Sequence, residues 1–142
     1  LAGHSSIGER LLRAMATGPR PLLLGDVFPD FACRTTHGNF SFHEFLQGDR
    51  ECPWTIFFGH PNDFTPVCTT ELGRAAQLWE DFRRRGVKLI GLSCNSVDSH
   101  LAWIEDIKRA AAVPSLPFPI IADERREIVV SLGMLDPAEL GQ

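Results

Sequence analysis

Three absences narrow what this 142-residue sequence encodes. No apolar run approaches the roughly 18 residues that a helix needs to span a bilayer, so no membrane span is expected. No two of the four cysteines (Cys33, Cys52, Cys68 and Cys94) stand in a C-x-x-C pair, which removes a zinc knuckle and a dithiol redox centre. No strong charge of one sign is present either: the net charge of −4 calls for neither nucleic acid nor an anionic membrane as a partner. Internal repeats and low-complexity stretches are missing too. What is there is a chain with 44% hydrophobic residues, enough for a proper core. A chain that builds a core does not need a disulfide scaffold, so free thiols in a reducing compartment, the cytoplasm, are the simpler expectation.

The chain does not begin with methionine. Residues 1–14, LAGHSSIGERLLRA, read as a leader or an appended segment, with Met15 as a natural start, and 15–142 as one domain. Along that domain, LLLGDVFPDF (22–31) is a short apolar run broken by Gly-Asp and Pro29, which predicts an edge strand and a turn. THGNFSFHEFL (36–46) sets a turn before alternating Phe40 and Phe42 and predicts a hairpin. GDRECP (48–53) reads as a loop, and WTIFFG (54–59) as a fully buried central strand. From Cys68, apolar or small residues recur at Leu72, Ala75, Ala76, Trp79 and Phe82, predicting one amphipathic helix that ends at Arg83-Arg84-Arg85-Gly86. VKLIGLSC (87–94) is the next strand. SVDSHLAWIEDIKRAAA (96–112) is a second helix, with His100, Trp103, Ile104 and Ile107 on one face. LPFPIIAD (116–123) is a strand, and RREIVVSLGM (125–134) a third helical segment closing at Gly133. Strands alternating with helices make an α/β layer structure.

The candidate chemistry sits between a strand and a helix. In HPNDFTPVC (60–68), Thr65 suits the N-cap and Pro66 the first helical position, so Cys68 becomes the third helical residue. N–H groups without intrahelical acceptors and the positive end of the helix dipole both favour a thiolate there. The Thr65 hydroxyl falls within reach of the sulfur or of a small oxygen substrate beside it. Against this stands ordinary packing, since Cys68 lies on the apolar stripe and free cysteine is among the most buried residue types. Cys33, Cys52 and Cys94 keep that default. CTTELGR (68–74) also has the C-x5-R spacing of cysteine-dependent phosphatases, but Val67, Glu71 and the missing mid-loop glycine speak against a phosphate-binding loop.

The stretch from Pro61 to Cys68 resembles the P-x-x-x-T-x-x-C motif of peroxiredoxins, and HPNDFTPVCTTELGRAA looks most like their one-cysteine branch. LLLGDVFPDF, VKLIGLS, DSHLAWIEDI, LPFPIIAD and LGMLDPAE extend the resemblance over roughly residues 22–140. The resemblance implies a thioredoxin-like fold, a central mixed sheet flanked by helices, and a thiol peroxidase. Cys68 would be the peroxidatic nucleophile, oxidised by a peroxide to a sulfenic acid and restored by an external thiol or other reductant. Thr65 would hydrogen-bond sulfur and peroxide, Pro61 would shield the site, Glu71 would orient an arginine, and His60 would stand beside the pocket. No metal and no organic cofactor is implied. That arginine, the final strands and the C-terminal dimerisation region would all fall beyond residue 142, so the chain is expected to be truncated and the longer protein to be a homodimer. Neither Arg125 nor Arg126 matches the arginine. The phospholipase activity attributed to some members of the branch is not expected: Pro53 occupies the serine position, which leaves His43 an ordinary loop histidine. From a different class, the chain could be a catalytically silent thioredoxin-like binding module.

Overall fold

The structure is a computed structural model that describes residues 22–135. Pro29–Arg126 forms one compact unit, and the described residues 22–28 and 127–135 belong to a second. The boundary expected between residues 14 and 15 lies outside the described residues.

Strands β1 (Ala32–Thr35) and β2 (Gly38–Ser41) make the hairpin, in the antiparallel register Ala32↔Ser41 to Thr35↔Gly38. Gly38 takes φ +97°, a left-handed value that glycine adopts without steric cost, and the Thr35 hydroxyl donates to its carbonyl at 2.6 Å. The strand expected within 22–31 does not form. There the Asp26 carboxylate accepts from the Leu23 N–H at 2.8 Å and Gly25 sits at φ +89°, so a turn uses the backbone groups that pairing would need.

The second half of the predicted hairpin also departs from expectation. Helix α1 (Phe42–Gly48) starts where the alternation predicts a strand, because Ser41 and Glu44 form a reciprocal capping box. The Ser41 hydroxyl accepts from the Glu44 N–H at 3.1 Å, and the Glu44 carboxylate accepts from the Ser41 N–H at 2.8 Å. His43 is therefore a helical residue, its N–H donating to Asp30, and not the loop histidine expected from sequence.

Strands β3 (Trp54–Gly59), β4 (Val87–Ser93) and β5 (Ile120–Ala122) complete a five-stranded sheet in the order β2-β1-β5-β4-β3. β3, β4 and β5 run parallel, while β1 is antiparallel to β2 and β5. This is the mixed, helix-flanked sheet that the resemblance implies. β3 is nevertheless an edge strand, with Trp54 71% and Ile56 44% exposed, where a buried central strand was expected. A continuous apolar run shows that a strand has two apolar faces but not what pairs with its edges. β4 lies inside the sheet, between β5 and β3, with six of its seven residues buried.

The helix carrying Cys68 is divided. α2 (Pro66–Gln77) ends at Leu78, whose φ of −90° and ψ of 5° break the regular geometry, and α3 (Trp79–Arg84) follows. Gly86 then turns the chain at φ +69°. Arg83 pairs with Asp49 at 2.8 Å and Glu51 at 3.3 Å, which ties α3 to the loop before β3. Helix α4 (Val97–Ala111) begins as predicted: Ser96 is the N-cap and accepts from the Ser99 N–H. α2 packs on α4 around Leu72, Ala76, Trp103 and Ile107, with Leu89 and Phe118 beneath. In the second unit, α5 (Glu127–Ser131) is shorter than the segment expected, and Gly133 follows it at φ +66°.

Candidate active site

The N-terminus of α2 follows the last turn of sequence after β3. Thr65 is the N-cap and Pro66 the first helical residue, so Cys68 is the third, as its spacing predicts. Thr65 makes no side-chain capping hydrogen bond; its hydroxyl donates instead to the Asn62 carbonyl at 3.1 Å. The first helical bond, from the Thr69 N–H to the Thr65 carbonyl, is 2.9 Å long. The same carbonyl accepts from the Thr69 hydroxyl, whose oxygen in turn accepts from the Trp103 indole N–H at 2.9 Å. Trp103 lies fully buried on α4, so this chain of bonds pins the start of α2 to the core.

Cys68 is 6% exposed and joins the apolar cluster with Leu72 and Trp103. All four cysteines are free. Burial, with the Asp30 carboxylate adding to it, pushes the Cys33 thiol up to about 12. Burial and Asp123 together raise Cys94 against the opposing pull of Arg126. A thiol held protonated is a poor nucleophile, which fits the packing role read for both.

The other expected site residues divide into two groups. His60 and Glu71 line one cavity of about 190 Å³ between β3 and α2, together with Phe58, Leu72 and Ala75. Pro61 lies exposed at the start of the loop, and Thr65 is half-buried at its end. His60 is buried against the Trp103 ring, with centroids 4.8 Å apart.

Asp63, which sequence reasoning passed over, completes the loop. The Asp63 carboxylate accepts from His60 Nε2 at 2.9 Å, from His100 Nδ1 at 2.8 Å and from the Ser99 hydroxyl at 2.7 Å. Its backbone N–H donates to the Asn95 side chain at 3.1 Å. Burial alone would raise this carboxyl, but the hydrogen bonds from His100, His60 and Ser99 outweigh it and hold Asp63 well below the usual carboxylate range. His60, Asp63 and His100 have ligand atoms within 4.8 Å of one another, as a metal site would. Here Asp63 is already spent on three donors and His100 Nε2 on the Ile121 carbonyl at 3.2 Å, so the trio is a hydrogen-bonded network in which His60 Nδ1 alone has no partner among the described residues. A signal for it was present in the sequence. His100 sits on the apolar face of a helix, and a buried histidine requires a polar partner.

The family model described as "AhpC/TSA family" matches residues 24–142. The chain belongs to the AhpC/TSA family. Among curated proteins it is similar to "Peroxiredoxin-6" of Homo sapiens, 57% identical over 124 residues that cover 85% of this chain and 54% of that one. "Peroxiredoxin-6" of Gallus gallus is 58% identical over 121 residues, covering 83% and 52%. Among solved structures, a Cys-to-Ser mutant of the peroxiredoxin 6 of Arenicola marina has a TM-score of 0.75 at 52% identity, covering 83% of this chain and 52% of that one. A yeast mitochondrial 1-Cys peroxiredoxin, studied for thiol resolving via glutathione/thioredoxin systems, has a TM-score of 0.75 at 43% identity, covering 81% and 52%. This AhpC/TSA chain thus has a thioredoxin-like peroxiredoxin fold and spans about half the length of the curated relatives it matches.

Proposed function

We propose that this chain carries the peroxide-reducing thiol of a one-cysteine peroxiredoxin. The Cys68 thiolate attacks one oxygen of hydrogen peroxide or an organic hydroperoxide. The O–O bond breaks, the S–O bond forms, and the departing oxygen takes up a proton to leave as water or alcohol. The sulfenic acid condenses with an external thiol, releasing water, and a second thiol frees Cys68 from the mixed disulfide. The reductant is of the glutathione or thioredoxin kind named for the yeast relative. The working protein is a homodimer in a reducing compartment such as the cytoplasm, a setting that suits four free cysteines.

One observation carries this reading: Cys68 stands third in α2 behind Thr65 and Pro66, in a chain 57% identical to Peroxiredoxin-6. The helix end offers the sulfur N–H groups that no capping side chain claims. Thr65 and Pro61 complete the catalytic set with Cys68, His60 and Glu71 are the supporting residues, and no cofactor is required. The test is the second-order rate of oxidation by hydrogen peroxide across pH, on this chain and on the longer protein, with Cys68→Ser as control. A rate far above that of a free thiol is expected and is lost in Cys68→Ser. A free-thiol rate in the longer protein would overturn the reading in favour of a silent binding module.

A further inference from the structure

The Asp63 network has a consequence for protons that its geometry fixes. An ionised carboxylate only accepts hydrogen bonds, and so does a backbone carbonyl. His100 turns Nδ1 to Asp63 and Nε2 to the Ile121 carbonyl, so both nitrogens must carry hydrogen and the ring is an imidazolium. Asp63 and His100 then form a fully buried pair of zero net charge. His60 also gives its Nε2–H to Asp63, while its Nδ1 is buried with no partner among the described residues. A proton on Nδ1 would bury a second, unbalanced cation, so this nitrogen carries a lone pair.

Most buried polar atoms are hydrogen-bonded, and one left over in a site calls for a function. The lone pair belongs to a ring that lines the cavity beside α2, eight residues before Cys68 in sequence. The side-chain polar atoms of Asp63, Ser99 and His100 are all committed. The titratable groups that face His60 are Asp63 from its own loop, His100 from α4, and Glu71 from α2 across the cavity.

We propose that Asp63, anchored by His100 and Ser99, is a positioning residue that holds His60 with its proton on Nε2, so that Nδ1 is the acceptor for the O–H of a hydroperoxide at the thiol site. The inference rests on the thiol peroxidase reading and adds to it a reason for the buried ion pair. Asp63 acts only through His60: its hydrogen bond orients the ring and fixes which nitrogen carries the proton.

The test combines spectroscopy and kinetics on the longer protein. In ¹⁵N-labelled wild type at pH 7.5, His60 should show a protonated Nε2 and an unprotonated Nδ1, and His100 two ring N–H groups. Asp63→Asn should abolish this pattern, lower the second-order rate with hydrogen peroxide by about 10- to 100-fold and shift its pH profile. The circular-dichroism spectrum should stay unchanged. The proposal is overturned by a wild-type His60 protonated on Nδ1, a measurement that needs no variant to fold. A folded Asp63→Asn protein with wild-type rate and pH profile would overturn it equally. If the wild type oxidises no faster than a free thiol, the peroxidase reading fails and takes the kinetic role with it. The tautomer pattern would then survive as structure alone.

Discussion

Ala112 shows how much one backbone angle decides at the end of a helix. It caps α4 at φ +53°, the left-handed region that costs an L-residue with a Cβ about 1–2 kcal/mol. Glycine takes that angle without the clash, although it has more freedom to lose on folding. Ala112→Gly should therefore raise stability by roughly 0.5–1 kcal/mol, read as a higher urea midpoint with unchanged slope. A lower midpoint would mean that the exposed methyl group packs better than the angle suggests. At the same scale, Cys68 was legible because its signals are local: a cap residue, a proline and the count of three. Asp63 stood in the same quoted stretch and was not legible. Its importance comes from Ser99 and His100, which reach it from another helix, and no local pattern announces such a meeting.

At the scale of elements, the approach of α2 to α4 rests on Gly73. A Cβ built there would stand 2.7 Å from the Ala111 Cβ, which is rigidly attached to its own helix. Alanine is the better helix former by about 1 kcal/mol, but the overlap forces two packed helices apart. Gly73→Ala should accordingly destabilise the protein by about 1–3 kcal/mol, seen as a lower thermal midpoint. A gain in stability would show that the helices can separate freely. The element boundaries were legible where a side chain marks them, as Ser96 does for α4. They were missed where two signals competed: at Ser41 the alternation of Phe40 and Phe42 masked a capping box, and α1 went unread. The break at Leu78 had no marker, since neither glycine nor proline stands there.

For the whole molecule, the Asp63 network links three separate segments and makes stability depend on acid. Hydrogen bonds hold the folded pKa of Asp63 below its ordinary value of 3.8, so the unfolded chain binds the proton more readily. The contribution is therefore complete above that ordinary value and is lost as the pH falls through it toward the folded one. Urea midpoints measured from pH 7 down to pH 3 should fall over the acid end in the wild type. They should fall less in Asp63→Asn, which starts lower and has no such proton to gain. Equal slopes in the two proteins would remove Asp63 as the source.

The sequence by itself determined the alternation of strands and helices, the free thiols and the position of Cys68 in its helix, because periodicity, caps and spacing act over a few residues. Only the tertiary structure decided that β3 is an edge, that Gly73 has no room for a Cβ against Ala111, and that Asp63 joins two buried histidines. Each depends on groups 30 or more residues apart meeting in space, where pairing, packing and the removal of water act on what happens to be near.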